Sequence, residues 1–511
     1  MPAPLPLNQP RALFDLAATR RIEQAAAAAL PPHTLMQRAG LAVARLALAL
    51  APQARCVWLA CGPGNNGGDG LEAAVHLQQW GLGPIVTWLG DEASVPADAR
   101  ASLARARSAG VRFADAPPPL GPQDLGIDAL LGIGATRAPT GRMAEWLTAL
   151  RASAATQLAV DVPTGLDADT GVLHLPQTPV SIAAHATWTP TDGQFDLKHR
   201  GARHTLSLLS VKPGLLTGQG RDACGRLWFD DLGVSAPGEP PTAWLNAPPP
   251  APPRPQASHK GSFGDVAVIG GETDAARGSA MAGAALLAGS AALHGGAGRV
   301  YVALLGQGGP MFDTAQPELM FRRPGALALE AMTVVCGCGG GEAVRALLPE
   351  VLARAPRLVL DADALNALAA DPALQRSLAQ RAERQQHTVL TPHPLEAARL
   401  LGSDARQVQA GRLRAAGELA RRLACSVVLK GSGSLIAAPG QVPHLNASGN
   451  ARLATAGTGD VLAGLVGALL AAGHAPFDAA CRAVARHGAA ADQWPPGQAL
   501  TASALARHLG A

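Results

Sequence analysis

The sequence is poor in aromatic residues, which make up 3% of its 511 positions and include a single tyrosine. Nucleic-acid grooves rely on stacking platforms and basic stripes. Neither occurs here, where the net charge is only +4 and no basic cluster stands out, so nucleic acid is excluded as a partner. Cysteine is also sparse. The seven cysteines form no C-x-x-C pair, and Cys336 and Cys338 stand one residue apart with no second pair nearby. That excludes a zinc ribbon and speaks for a reducing compartment. Long apolar runs are missing as well. The most apolar early stretch, "AGLAVARLALALAP", contains Arg45 and is too short to span a bilayer. The first residues show no positive segment followed by an apolar run, so no secretory leader is expected. The expectation is a cytoplasmic protein with no membrane partner.

What is abundant is apolar sequence, at 48%, in a chain too long for one ordinary core. The clearest break is "SAPGEPPTAWLNAPPPAPPRPQAS", with nine prolines from Pro237 to Pro255. Proline supplies no backbone donor, so this stretch reads as an extended connector. The predicted division is 1–234, a connector over 235–258, and 259–511. On both sides of the break, short apolar runs such as "CVWLA", "QLAVDVP", "RLVLDAD" and "CSVVLKG" alternate with Ala/Leu-rich helical stretches. This pattern predicts two α/β domains built on parallel sheets. Ligands in such sheets gather beyond the carboxyl ends of the strands, where several of these runs end in Gly, Asp, Thr or Lys.

The loop "CGPGNNGGDG" follows the run "CVWLA". Gly62, Gly64 and Gly67 fit the G-x-G-x-x-G dinucleotide fingerprint, and Asp91 lies where a ribose-binding acid would fall. Asn65, Asn66 and Asp69 fit that reading poorly, because a carboxylate inside the loop repels a pyrophosphate. The plain alternative is a glycine-rich turn before a helix starting near Leu71, with Asp69 as its cap. Two further strand ends add weight to a site: "IDALLGIGATR", carrying Asp128, and "DVPTGLDADTG", carrying Asp161 and Thr164.

In the second half, "ATAGTGDVLAG" places Gly457, Thr458 and Gly459 at the start of an apolar helix, where free N–H groups face an anion. Asp460 beside them suits proton removal from a hydroxyl attacking phosphorus. The plain alternative is an acid satisfying the helix dipole. "SVVLKGSGSLI" ends a strand in Lys430, before a Gly/Ser loop that could hold phosphates; a solvated lysine before a hairpin is the alternative. "LTPHP" places His393 where a strand passes into a helix, a position also open to a buried structural histidine.

"LMQRAG", "NNGGDG", "IDALLGIGATR" and "DVPTGLDADTG" resemble the YjeF N-terminal domain, the NAD(P)H-hydrate epimerase family, from about Ala12 to Gly225. "HKG", "LVLDADALN", "LTPHP" and "ATAGTGDVLAG" resemble the ribokinase-like YjeF C-terminal family, the ADP-dependent NAD(P)H-hydrate dehydratases, from about His259 to Ala490. The resemblance implies a Rossmann-like α/β/α domain followed by a ribokinase-like α/β/α domain. It implies that Asn65, Asn66, Gly67, Gly68 and Asp69 bind the hydrated nicotinamide nucleotide, and that Gly132, Ile133, Gly134, Ala135, Thr136, Arg137 and Ala138 cradle its phosphate. Asn66, Asp128 and Thr164 would hold K+, and Asp161 would be the catalytic acid/base. In the second domain, Asp460 would be the catalytic base. Lys430, Gly431, Ser432, Gly433, Ser434 and Gly459 would bind ADP, accompanied by Mg2+. Ala284, Gly341, His393 and Asp460 would contact the substrate. NADHX, NADPHX and ADP are the implied small-molecule partners, and a homo-oligomer is the expected assembly. The chain departs from the family pattern at Leu395, at Ala451–Leu453, where Arg452 stands, and at Cys338, a position where proline is common. An irregular insertion is expected at about 187–203. The alternative function is an ATP-dependent small-molecule kinase of the ribokinase superfamily with a non-catalytic N-terminal binding module.

Overall fold

The computed structural model describes residues 1–176, 201–235, 238–250, 255–306 and 312–510. Most of the expected insertion, 187–200, lies outside them, as do 236, 237 and 251–254 of the proline-rich stretch. The chain forms two compact units, Met1–Pro6 with Ala12–Thr242, and Leu7–Arg11 with Ala243–Ala511. Among the described residues no helix is long and apolar enough to cross a membrane.

The first unit is built on a sheet whose central strands are parallel. Its order is Ala3–Pro4, Arg226–Asp230, Arg203–Leu208, Thr156–Val160, Leu125–Ala129, Val57–Cys61, Ile85–Trp88 and Arg112–Phe113, with Ala3–Pro4 antiparallel at the edge. Val57, Leu59, Ile127 and Leu158 are fully buried, as a sheet covered on both faces requires. From Val57–Cys61 the chain builds outward through Ile85–Trp88, then returns to place Leu125–Ala129 on the other flank. The reversal leaves a crevice beyond the carboxyl ends of Val57–Cys61 and Leu125–Ala129. Both glycine loops open into it.

The second unit repeats the logic. Asp265–Asp274, Thr333–Cys336, Arg357–Leu360, His387–Leu390 and Ser426–Leu429 lie side by side and parallel. Beyond Ser426–Leu429 the sheet turns antiparallel through Ser434–Ala437 and His444–Asn446, so it is not parallel throughout. The helix Thr458–Ala471 is apolar on nearly all sides and packs on the helix Ala282–Gly295 and on the central strands. Gly464 and Gly467 permit this, because a Cβ on Gly464 would lie 2.0 Å from the Ala288 carbonyl.

The connector expected over 235–258 is corrected in part. Ala243–Leu245 is a strand paired with His444–Asn446. It falls in "TAWLNA", the proline-free window between Pro241 and Pro248, where every residue keeps its donor.

Candidate active sites

In the first unit the helix begins at Asn65, not near Leu71, and runs to Gln79 with Gly64 as its cap. Asn65 through Asp69 therefore form its first turn, and the N–H groups there face the crevice. Gly62 and Gly67 are required by the chain itself. A Cβ on Gly62 would lie 1.8 Å from the Leu130 carbonyl oxygen, and one on Gly67 would lie 2.0 Å from the Gly62 carbonyl oxygen. Gly64 has nothing within 4 Å. Gly62→Ala or Gly67→Ala should lose about 1–3 kcal/mol of stability through overpacking, against under about 0.5 kcal/mol for Gly64→Ala, read by denaturant melts. Asp91 closes an exposed turn by accepting from Ala93 N and does not line the cavity, so the ribose acid of the fingerprint is absent.

A cavity of about 670 Å3 lies here, of a size suited to a nucleotide. Asn65, Asn66, Asp69, Gly132, Ile133, Gly134, Ala135 and Asp161 line it. Gly67 and Gly68 do not. Both are buried, and Gly68 packs against Met36 and Ala99. Thr136, Arg137 and Ala138 continue the loop past the lining. Glu23, Arg20 and Lys212 also line the cavity, and nothing local in the sequence marks them.

Asp161 adopts a positive φ of 64°, rare for a non-glycine residue and typical of functional sites. Its Oδ1 accepts from Leu208 N at 3.0 Å and from Lys212 Nζ. Asp69 is pushed well above the usual carboxylate range by burial, then by the negative charges of Asp161 and Glu23. Glu23 is raised by burial and by Asp161. Thr164 joins Asp128 through its hydroxyl, at 2.6 Å, and its N–H, at 3.0 Å. Burial raises the pKa of Asp128 despite these bonds. Asp128 has no ion pair among the described residues. Asn66 sits against Gly132, and its Nδ2 is buried without a partner. A buried carboxylate, a hydroxyl and an amide oxygen are the donors a hard cation takes, and a cation would offset the buried charge. The predicted K+ residues therefore fit that ion chemically.

In the second unit, neighbouring parallel strands deliver their polar groups at the carboxyl ends. Thr333–Cys336 leads to Cys338, Arg357–Leu360 to Asp361, His387–Leu390 to His393 and Glu396, and Ser426–Leu429 to Lys430. Asp460 comes in from the first turn of Thr458–Ala471, capped by Gly457 at φ 89°. The ligand atoms of Cys338, Asp361 and Asp460 lie within 4.8 Å of one another. Lys430 Nζ donates to Asp361 at 2.7 Å and lies 3.9 Å from Glu396. Burial disfavours its charge, but Asp361 and Glu396 outweigh that and its pKa is raised. This is not a solvated strand-end lysine. Gly459 lies close by: a Cβ there would stand 3.3 Å from Lys430 Nζ, a tight contact.

Asp460 is raised to about 7 by burial and by the Asp361 charge, with the Cys338 thiol acting in the opposite direction. A base with this pKa is half ionised at neutral pH. A general base at this position works only unprotonated, so with Asp460 in that role kcat/KM should rise with pH through about 7. Asp361→Asn, which removes the repelling charge, should move that limb to lower pH; a pH–rate profile reads both.

His393 is neither buried nor free. Its Nδ1 caps the helix Pro394–Leu401 by accepting from Leu395 N and Glu396 N, while Glu396 accepts from His393 N. Its Nε2 lies 3.2 Å from Glu396 Oε1, so both ring nitrogens are engaged and the half-exposed ring face is what a ligand could meet. Gly339 packs against Met281 and Ala284, and Gly341 N donates to Asp363. The Gly431–Ser434 loop is a hairpin tip, held from below by the buried Arg412, which donates to the carbonyls of Leu429, Lys430 and Gly433. Of the family departures, Leu395 is exposed beside His393, Arg452 is exposed, and Cys338 is fully buried against Asp460. Sequence reasoning missed Arg412, Glu23 and Lys212. One signal was available for Lys212: the chain has 38 arginines but only four lysines. Two of those four pair with Asp161 and Asp361, Lys212 fully buried and Lys430 partly buried.

An aspartate at a glycine-capped helix N-terminus, facing a lysine and carboxylates on adjacent strand ends, is the set of groups that phosphoryl transfer can use. The first unit is an α/β domain on a largely parallel sheet, with a cavity of nucleotide size beyond its strand ends. Family models agree: "YjeF-related protein N-terminus" matches residues 32–214 and "NAD(P)H-hydrate dehydratase" matches 266–510. The bifunctional NAD(P)H-hydrate repair enzyme of Escherichia coli K12 is 35% identical, over 95% of this chain and 90% of that protein. The ADP-dependent (S)-NAD(P)H-hydrate dehydratase of Neisseria meningitidis is 42% identical, over 50% of this chain and 86% of that protein. A solved ADP/ATP-dependent NAD(P)H-hydrate dehydratase from Bacillus subtilis, co-crystallised with ATP/Mg2+, is 31% identical over 51% of this chain and 92% of its own, with a TM-score of 0.42. The chain belongs to the family of bifunctional NAD(P)H-hydrate repair enzymes.

Proposed function

We propose that the chain repairs hydrated NADH and NADPH in two steps, one in each unit. The first unit interconverts the R and S epimers of NAD(P)HX. The second dehydrates the S epimer at the expense of ADP. The observation that carries this reading is the pair of aspartates, Asp161 at a strand end lining a cavity of nucleotide size and Asp460 in the first turn of a glycine-capped helix.

In the epimerase unit, Asp161 takes the proton of the C6 hydroxyl as the C6–N1 bond opens, the electron pair passing to N1. Reclosure on the other face of the aldehyde returns the proton and gives the other epimer. K+ held by Asn66, Asp128 and Thr164 would neutralise the buried Asp128 charge and fix the two loops. In the dehydratase unit, Asp460 removes the proton of the C6 hydroxyl as its oxygen attacks the β-phosphorus of ADP, and AMP leaves. Phosphate then departs from C6 and a proton from C5, which restores the C5=C6 bond of NAD(P)H. Mg2+ supplies charge neutralisation of the phosphates when bound. Lys430 and the N–H groups of Thr458 and Gly459 stabilise the transferring group.

The same constellation would serve a small-molecule kinase. ADP-dependent recovery of NADH absorbance from (S)-NADHX, with release of phosphate, supports dehydration. A stable phosphorylated product with no gain in absorbance would support the kinase.

A further inference from the structure

The Asp161 carboxylate is held asymmetrically. Oδ1 accepts from Leu208 N and from Lys212 Nζ, whereas Oδ2 has no hydrogen bond among the described residues. Lys212 is 1% exposed, and its ammonium is fully engaged. Besides Asp161 it donates to Leu208 O at 2.8 Å and reaches Ser207 Oγ at 3.5 Å. An ammonium has three N–H directions, and all three are taken by the chain. Lys212 therefore has no donor left for a substrate. We infer that Lys212 is a positioning residue of the epimerase site: it pins Asp161 through Oδ1 and so makes Oδ2 the atom that exchanges the substrate proton.

Charge points the same way. Glu23, on the helix Leu16–Ala29, and Asp69, on Asn65–Gln79, share the cavity with Asp161, so three carboxylates meet there. Arg20 lies on the same helix as Glu23, and at the rim His33 pairs with Asp98. Lys212 is the cation that bonds Asp161 directly. Removing it leaves Asp161 facing Glu23 and Asp69 without an ion-pair partner, which favours the protonated form. The site also asks for lysine in particular. The three acceptors, Asp161 Oδ1, Leu208 O and Ser207 Oγ, converge on one nitrogen, which an ammonium's three separately directed donors match and a planar guanidinium fork, with its donors spread over three nitrogens, does not. A chain that otherwise uses arginine almost throughout keeps a lysine there.

This inference rests on the epimerase reading, and the test separates the two. Epimerisation of (R)-NADHX is followed in the full chain as wild type, Lys212→Met and Lys212→Arg. ADP-dependent turnover of (S)-NADHX by the same preparations normalises for active protein. A wild-type chain that fails to epimerise overturns the epimerase reading itself. With an active wild type, Lys212→Met should lower kcat about 100-fold with KM within about threefold, and should move the acidic limb of the pH–rate profile up by about one pH unit. Lys212→Arg should keep the limb at its wild-type position while kcat falls. A wild-type kcat and limb in Lys212→Met overturns the inference. So does a Lys212→Arg limb displaced as far as that of Lys212→Met. Should Lys212→Met not fold, the position of the Lys212→Arg limb decides alone.

Discussion

Asp460→Asn is expected to slow ADP-dependent conversion of (S)-NADHX by about 100- to 10,000-fold, the range that loss of a general base produces. Epimerisation by the same chain should be unchanged. The amide is nearly isosteric and keeps the helix N-terminus intact, so nucleotide affinity should move little. The effect belongs in kcat, because the lost contact is made as the proton transfers. Asp460 sits in the first turn of an apolar helix packed on the central strands, and that burial is what holds its pKa near 7. A group with an ordinary carboxylate pKa would be ionised at neutral pH but a weaker base. Isothermal titration with ADP, beside steady-state kinetics, separates loss of chemistry from loss of binding. Equal kcat in wild type and variant would contradict the assignment.

The second large effect is expected at the other site. Asp161→Asn should abolish enzyme-dependent epimerisation while leaving the dehydration of resolved (S)-NADHX intact. An asparagine can still accept from Leu208 N through its oxygen, so the local turn at φ 64° is retained. It cannot take a proton. A residual rate equal to that without enzyme is the expected result. Chiral separation of the epimers over time reads it directly.

The two variants test sites that were visible in the sequence to different degrees. Strand ends were legible because a buried parallel strand is a short apolar run that stops abruptly at Gly, Asp or Lys, as at Asp128, Asp161, Asp361 and Lys430. Asp460 was legible because glycines before an apolar helix expose N–H groups. The G-x-G-x-x-G match misled as to its reason. Gly62 and Gly67 are glycines because of Leu130 and of each other, not because of a pyrophosphate. The start of the helix at Asn65 was hidden because "NNGGDG" has the composition of a turn. Only packing on Thr34–Leu50 and Ala97–Ser108 makes it helical. Glu23 lies in the alanine-rich run "RRIEQAAAAAL", and Lys212 comes fifty-one residues after Asp161; no local pattern joins them to the site. Cys338 is similar. The sequence marks it only as a departure from the family pattern, whereas its fully buried thiol lies against Asp460 and counters the rise in that residue's pKa.

The division of labour between the units is tested most directly by one time course. The full chain is supplied with a mixture of R and S NADHX, excess ADP and Mg2+, and NADH absorbance is followed to completion. The account predicts conversion of the whole mixture, with Asp161→Asn stopping once the S epimer is consumed and then creeping at the rate seen without enzyme. A wild-type chain that stops at the same point as Asp161→Asn would contradict it.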